Sequence, residues 1–213
     1  MISIRNLLLA GILSLFAQAA TISVVKAAET IAAKLSVENQ QDLKRVETFL
    51  NGIETARAGF LQVSSNGGVA TGKLLLSRPG KMRFEYDPPT PIMIIADGTF
   101  LIYIDKELKS PIHSWLSTSL VGFLVEEDIK LNGDVTVTKF EKGSNILRVT
   151  LARTKDPEQG SITMIFSDQP LALRQWIITD QQEIRTTVTL SNLESGIKID
   201  PKLFIFKRPP EEQ

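Results

Sequence analysis

Apolar and polar residues alternate along the stretch Gly72–Asp105, which three turn signals divide: Arg78-Pro79-Gly80, Asp87-Pro88-Pro89 and Asp97-Gly98. Short Val, Ile, Leu, Phe and Tyr runs bounded by Pro and Gly predict antiparallel strands. After the first turn, every second side chain is apolar and shares one face of the sheet. These are Met82, Phe84 and Tyr86. Before the turn, Leu74, Leu76 and Arg78 continue the same face, so a charge ends an apolar row.

Similar strand signals recur along the rest of the chain. Further strands are predicted at residues 60–63, 135–141, 146–152, 161–166, 171–179, 184–192 and 204–206. The Asp97-Gly98 turn predicts a hairpin in which Ile95 pairs with Phe100. About eleven consecutive, hairpin-linked strands favour an α+β, mainly β fold. It would be a meandering antiparallel sheet curled toward a barrel, with helices across its open side.

Two segments have helical periodicity and would form that cover. The first helix is predicted near 37–51, with Ser36 as N-cap and Gly52 beyond its end. Its core-facing stripe contains Leu43, Val46 and Leu50. The second is predicted near 112–127, where Leu116, Leu120 and Phe123 share a helical face. Gly122 weakens the middle of this segment, so we expect two short helices there.

The N-terminus has the pattern of a secretory signal peptide, predicted to end near residue 27. Arg5 precedes the apolar run Leu7–Phe16, and small-residue cleavage sites follow. The alternative is a membrane anchor, which needs about 20 apolar residues. Gln18 and Thr21 interrupt the run, which favours cleavage. Residues 28–213 are then expected to form a single exported, soluble domain.

Composition narrows the function further. Loss of Arg5 and Lys26 from a chain with 24 basic and 24 acidic residues leaves a net charge of −2, which gives no electrostatic basis for binding nucleic acid. The chain contains no cysteine, so disulfides, thiolate metal sites and a thiol nucleophile are excluded.

Reacting groups for catalysis are scarce in the sequence. His113 is the only histidine, and its neighbour Ser114 is not part of a G-x-S-x-G motif. The acidic run 126–128 is interpreted as a solvated end of the second helical segment rather than a metal site. We therefore expect no catalytic residues, no metal and no cofactor.

The sequence motifs resemble those of a known family. The run LLLSRPGKMRFEYDPPTP, followed by IMIIADG and FLIYID, resembles the periplasmic outer-membrane lipoprotein carrier family, LolA. The resemblance extends from FLNGIETARAGFLQ to the terminal FIFKRP. It implies an incomplete, half-open antiparallel β-barrel of about eleven strands with an α-helical lid. It also implies a monomeric periplasmic chaperone that shields lipoprotein acyl chains and delivers them to the outer membrane.

The resemblance also assigns expected roles to residues and partners. Arg78 precedes a proline, as the family's lid-latching arginine does, and would bond carbonyls of the lid helices in the empty protein. The acyl-chain cavity would be lined by Leu74, Leu76, Met82, Phe84 and Tyr86. The expected partners are acylated lipoproteins, an inner-membrane ATP-binding-cassette lipoprotein-release complex and, where one exists, an outer-membrane lipoprotein receptor.

Two other interpretations stay open from the residues. A lipid- or lipoprotein-sensing binding module could use the same fold, and an envelope-lipid hydrolase could act on similar molecules. The carrier interpretation requires an apolar trough beside Arg78, covered by a lid that can move.

Overall fold

The computed structural model describes residues 30–108 and 111–206, and its main feature is one eleven-stranded antiparallel sheet. The strands are β1 (Thr55–Ser64), β2 (Val69–Ser77), β3 (Lys81–Tyr86), β4 (Ile92–Asp97), β5 (Phe100–Asp105), β6 (Ile112–Trp115), β7 (Val135–Gly143), β8 (Ile146–Arg153), β9 (Ser161–Asp168), β10 (Leu171–Thr179) and β11 (Arg185–Ser195). Their order in space is β6-β5-β4-β3-β2-β1-β11-β10-β9-β8-β7. The sheet is therefore open, with β6 and β7 at its two edges.

One α-helix occurs in the described ranges, α1 (Val37–Asn51), and it covers one face of the sheet. Ser36 caps its N-terminus by accepting a hydrogen bond from the backbone N–H of Asn39 at 3.2 Å. We call the face beneath α1 the inner face. The chain leaves edge strand β6, passes over this face and enters the opposite edge strand β7. The crossing chain, residues 116–131, and α1 together form the lid.

The core lies between the lid and the inner face of the sheet. Alternation places apolar side chains of β2 and β3 inward, and the register pairs Leu74 with Phe84 and Leu76 with Met82. A smaller apolar cluster lies on the outer face of β4 and β5, where the segment around Phe206 packs. Burial of the inner face therefore determines the register of the strands.

The predicted fold class is confirmed, with two corrections to the elements. Ile112–Trp115 is strand β6 rather than part of a helix, because its backbone pairs with β5. The predicted terminal strand at 204–206 is wrong, because Pro201–Phe204 forms a 3-10 helix capped by Asp200. The predicted number of strands is correct, but one predicted strand is absent and one unpredicted strand takes its place.

The second lid segment contains 3-10 helices where short helices were expected. They span Leu116–Thr118 and Gly122–Val125. At Gly122 a Cβ atom would lie 2.1 Å from the carbonyl oxygen of Leu116, so no other residue fits without displacing the backbone. This close approach folds the segment back on itself.

The β4–β5 hairpin differs from the prediction by two residues. Ile95 pairs with Ile102, because Gly98 and Thr99 form the turn. Asp97 Oδ1 fixes it by accepting hydrogen bonds from the backbone N–H of Thr99 at 2.9 Å and of Phe100 at 2.8 Å. A shift of two residues keeps every side chain on its predicted face.

The predicted signal peptide, residues 1–27, lies outside the described residues. Within 30–108 and 111–206, none of the helices has the length and hydropathy to cross a membrane.

Candidate functional site: an apolar cavity beneath a latched lid

An apolar cavity of about 40 Å³ lies between the lid and the centre of the inner face. Its walls come from the lid and from strands β1, β2, β3, β10 and β11. The lining residues are Leu50, Ile53, Ala56, Leu74, Leu76, Met82, Leu124, Ile129, Leu173, Trp176, Leu190 and Leu193. A volume of this size is enough for about three water molecules. The trough is therefore almost filled by the protein's own side chains.

Three of the five predicted cavity residues line this space, namely Leu74, Leu76 and Met82. The other two, Phe84 and Tyr86, are buried on the same face but do not line the cavity. Phe84 packs edge-on against Phe60 at 5.3 Å and against Trp176 at 6.2 Å between ring centroids. Tyr86 packs against Phe60 at 5.1 Å. Phe60, Phe84 and Tyr86 thus form an aromatic cluster that adjoins the cavity through Trp176.

Arg78 lies at the end of β2 with its guanidinium against the lid. Its Nε donates to the carbonyl oxygen of Ile53 at 2.7 Å, and Nη2 donates to that of Leu50 at 2.5 Å. Its Nη1 donates to the carbonyl of Glu126 and to Asn51 Oδ1, both at 3.3 Å. One side chain therefore holds both pieces of the lid.

The position of Arg78 complements the end of α1 electrostatically. The last turn of α1 contains no basic residue, and its terminal carbonyls carry partial negative charge. Burial lowers the pKa of Arg78, while the nearby carboxylates of Glu54 and Asp128 raise it. Arginine still stays protonated in this setting. The guanidinium therefore carries a full positive charge beside these carbonyls.

The predicted lid residues face the core to different degrees. Val46 and Leu50 of α1 are buried, and Leu43 is half-buried. In the crossing segment Leu116 and Phe123 are buried, while Leu120 is half-buried. Of these, Leu50 lines the cavity. Leu124 and Ile129 complete the underside of the lid.

Sequence reasoning missed Leu173 and Trp176 on β10. They are three residues apart, yet both are buried on the inner face. A register shift between Leu173 and Gln175 against β9 inserts one residue and reverses the alternation. The apolar run around Trp176 indicated a buried strand, but nothing in the sequence indicated the bulge that places both residues on the inner face.

The same effect hid Leu190 and Leu193 on β11. The pairing with β1 shifts by one residue in this region, and Asn192 has a positive φ of 51°. An asparagine tolerates that conformation better than most residues. The two leucines therefore both reach the cavity despite their odd spacing.

His113 lies away from the cavity on the exposed edge strand β6. Its ring packs edge-on near Phe100 at 5.9 Å and Phe206 at 6.1 Å on the outer face. Ser114 has the opposite orientation along the strand and donates from Oγ to the carbonyl of Leu101 at 3.2 Å. The two side chains are not arranged as a nucleophile and its base.

The N-terminal half of α1 is attached to the sheet by ion pairs rather than by Arg78. Arg45 bridges Asp42 at 2.6 Å and Asp168 at 2.9 Å. Lys142 Nζ lies 2.8 Å from Glu38 and 2.8 Å from Asp42 Oδ2, the latter an ionic contact outside hydrogen-bond angles. Asp42 and Asp168 are buried. This network fixes α1 to the β7–β8 and β9–β10 turns.

An open antiparallel sheet that encloses an apolar cavity beneath a helical lid is the architecture of a half-open β-barrel. The model of the family described as outer membrane lipoprotein carrier protein LolA matches residues 51–207. The chain belongs to this family, which confirms the resemblance noted in the sequence. Membership supports a general carrier role and the binding of lipoproteins.

The chain is also similar to two named carriers and to one uncharacterised protein. An outer-membrane lipoprotein carrier protein of Legionella pneumophila (strain Corby) is 30% identical over 183 residues, covering 81% of this chain and 89% of the relative. One from Chromobacterium violaceum is 27% identical over 195 residues, covering 85% and 91%. An uncharacterised protein of Rickettsia prowazekii (strain Madrid E) is 26% identical over 176 residues, covering 83% and 81%.

Proposed function

We propose that this chain is a periplasmic carrier that shields the acyl chains of lipoproteins released from the inner membrane and delivers them to the outer membrane. It would be loaded by an inner-membrane ATP-binding-cassette complex and would pass its cargo to an outer-membrane receptor or directly to that membrane. The protein itself would act as a binding partner and not as an enzyme. Family membership and the names of the relatives support this proposal.

The observation that carries the proposal is the Arg78 latch at the edge of the apolar cavity. Each methylene group moved out of water is worth roughly 0.8 kcal/mol, so acyl chains need a protein surface that replaces their membrane. The cavity walls supply such a surface. A carrier must also release its cargo, and hydrogen bonds that form only in the closed state favour release.

The small cavity requires the lid to move during loading. An acyl chain does not fit in about 40 Å³, so Leu50, Leu124 and Ile129 must move away from the sheet. Opening breaks the bonds from Arg78 to the carbonyls of Leu50 and Ile53. Hydrogen bonds to charged groups are worth about 1.5–3 kcal/mol each, so Arg78 can set the balance between closed and open states.

Replacing the latch tests the proposal. We expect Arg78→Leu to keep the fold, to increase affinity for a fluorescent fatty-acyl probe about tenfold and to slow transfer of a bound lipoprotein to outer-membrane acceptors. Arg57→Leu is the matched control, because Arg57 pairs with Glu194 on the outer face at 2.8 Å. Unchanged probe affinity and unchanged transfer in Arg78→Leu would contradict the proposed latch.

The two tryptophans allow a second, label-free measurement. Trp176 lines the cavity and is buried, whereas Trp115 is 59% exposed on β6. In a Trp115→Phe background the emission therefore reports on the cavity alone. A shift of Trp176 emission on adding acylated peptide, absent with the unacylated peptide, is the expected result. No shift would move the acyl site away from this cavity.

A further inference from the structure

The lid consists of two pieces that are distant in sequence, and polar contacts join them. The first piece is α1, and the second is the crossing segment, residues 116–131, whose last part (126–131) follows the 3-10 helix Gly122–Val125. Asn51, the last residue of α1, and Glu47, one turn earlier, both face this segment. Their hydrogen bonds to this segment join the two pieces of the lid directly, whereas Arg78 reaches both pieces from the end of β2.

Asn51 forms a closed pair of hydrogen bonds with a single backbone residue. Its Nδ2 donates to the carbonyl oxygen of Ile129 at 2.9 Å, and its Oδ1 accepts from the N–H of Ile129 at 2.9 Å. A primary amide presents a donor and an acceptor side by side, which this arrangement needs. We call the pair the Asn51 clasp.

Glu47 extends the contact along the same segment. Its Oε2 accepts a hydrogen bond from the N–H of Leu131 at 2.9 Å. Residues four apart in a helix share one face, and alternate residues of an extended segment do as well. The side chains of Ile129 and Leu131 are buried in the core. The clasp and the Glu47 contact therefore fix α1 beside Ile129, whose side chain lines the cavity.

The crossing segment is itself attached to the sheet without Arg78. The N–H of Gly80 donates to the carbonyl of Val125 at 2.6 Å, and Arg153 Nη2 donates to that of Ser119 at 2.7 Å. With Arg78 removed, α1 would still be tied to this anchored segment. Arg78 is thus not the sole restraint on the C-terminal half of α1.

We propose that Asn51 is a positioning residue that forms a second latch, holding α1 closed over the trough through Ile129 and in parallel with Arg78. This inference rests on the proposed function only in taking lid opening as the step that admits the acyl chain. The two latches touch through the 3.3 Å bond from Arg78 Nη1 to Asn51 Oδ1, so their effects should be coupled.

A double-mutant cycle on the full chain tests the proposal. We expect Asn51→Ala to raise acyl-probe affinity about tenfold, since two neutral hydrogen bonds of the closed state are lost. The double variant with Arg78→Leu should bind more tightly than either single variant. A purely structural loss would weaken probe binding instead. Gln41→Ala, which truncates an exposed amide side chain on the same helix, is the matched control.

Distance measurements distinguish failure of the clasp from failure of the carrier role. The chain contains no cysteine, so spin labels can be placed at Thr48→Cys in the C-terminal half of α1 and Lys130→Cys on the crossing segment, both exposed positions. In Arg78→Leu the distribution of distances between the two labels should stay narrow. In the double variant this distance should lengthen or broaden by about 5 Å, half a helix diameter.

These distances report on the clasp even if no acyl probe binds. An equally narrow distance in the double variant, or unchanged probe affinity in Asn51→Ala where Arg78→Leu raises it, would overturn the second latch. Absence of probe binding in every variant would instead contradict the proposed carrier function.

Discussion

The two halves of the sheet are filled to different degrees. On β8 and β9 the inward side chains are at most 1% exposed, and they are Leu147, Val149, Leu151, Ile162, Met164 and Phe166. On β2, β4 and β5 several inward side chains are only half-buried, although Leu74 and Ala96 are buried. The half-buried ones are Leu76, Ile92, Ile94 and Leu101. One half therefore resembles an ordinary close-packed core, and the other is packed incompletely.

The attachments of α1 follow this division. Its N-terminal half is held by Arg45 and Asp42 to the turns of the filled half, whereas its C-terminal end is held by Arg78 from β2. A loosely packed region opens at lower free energy than a tightly packed one. We infer that α1 pivots on the filled half and lifts away from the loose half.

The largest expected effect is a large-to-small change in the filled half. Phe166 is fully buried and packs edge-on against Phe49 of α1 at 6.0 Å. We expect Phe166→Ala to lower the free energy of unfolding by about 3–5 kcal/mol, through lost burial and the cavity left behind. Urea denaturation followed by circular dichroism measures it.

The same kind of change in the loose half should behave differently. Leu76 lines the existing cavity and is half-buried, so Leu76→Ala is expected to lower the free energy of unfolding by about 1 kcal/mol. It should nevertheless change acyl-probe affinity. Equal losses of stability for the two variants would show that the halves do not differ.

An intermediate effect is expected at the ionic pivot. Burial alone would raise the pKa of the Asp42 carboxyl, but contacts with Lys142 and Arg45 outweigh it and hold that pKa below its usual range. Because the folded-state pKa is lowered, the network stabilises the fold above about pH 4 and loses this contribution as pH falls further. Asp42→Asn should cost about 1 kcal/mol near pH 7.

Denaturation midpoints at pH 6 and pH 3 measure the linkage. The difference between the two midpoints should be smaller in Asp42→Asn than in the parent chain, since the carboxyl that titrates there is gone. Glu38→Gln, which removes the exposed partner of Lys142, serves as the comparison. An unchanged pH dependence in Asp42→Asn would place the acid sensitivity elsewhere.

The smallest effect is expected on the outer face where the halves meet. Arg57 on β1 and Glu194 on β11 form an ion pair at 2.8 Å, and both side chains are more than half exposed. We expect Glu194→Gln to change the free energy of unfolding by less than about 0.5 kcal/mol and to leave acyl binding unchanged. A larger effect on binding would mean that the outer face takes part in lid movement.

Local signals predicted the regular parts of the fold well. α1 was predictable because Ser36 and Gly52 mark its ends and an apolar stripe runs between them. The inward faces of β2 and β3 followed from strict alternation. Arg78 was recognisable from the sequence as a charge at the end of an apolar row, although its partners depend on how the chain folds.

The failures have a shared physical cause, which is that tertiary contacts override local pattern. Ile112–Trp115 becomes a strand because β5 offers an unpaired edge, not because of its own alternation. The bulges near Leu173 and Asn192 each insert one residue, which switches the face that the following side chains occupy. The alternating pattern of the sequence therefore could not show which residues of β10 and β11 line the cavity. The Asn51 clasp joins residues 78 positions apart and has no local signature.

The nearly full trough has a consequence for how firmly cargo could be held. In the empty protein Leu50, Leu124 and Ile129 already fill most of the space that an acyl chain would occupy. An incoming acyl chain would replace the lid side chains against the same apolar walls. The free energy of binding would then be a small difference between two similar amounts of buried apolar surface. A carrier built in this way would keep its apolar walls covered in both the empty and the loaded state, and a small change in free energy would be enough to release the acyl chain.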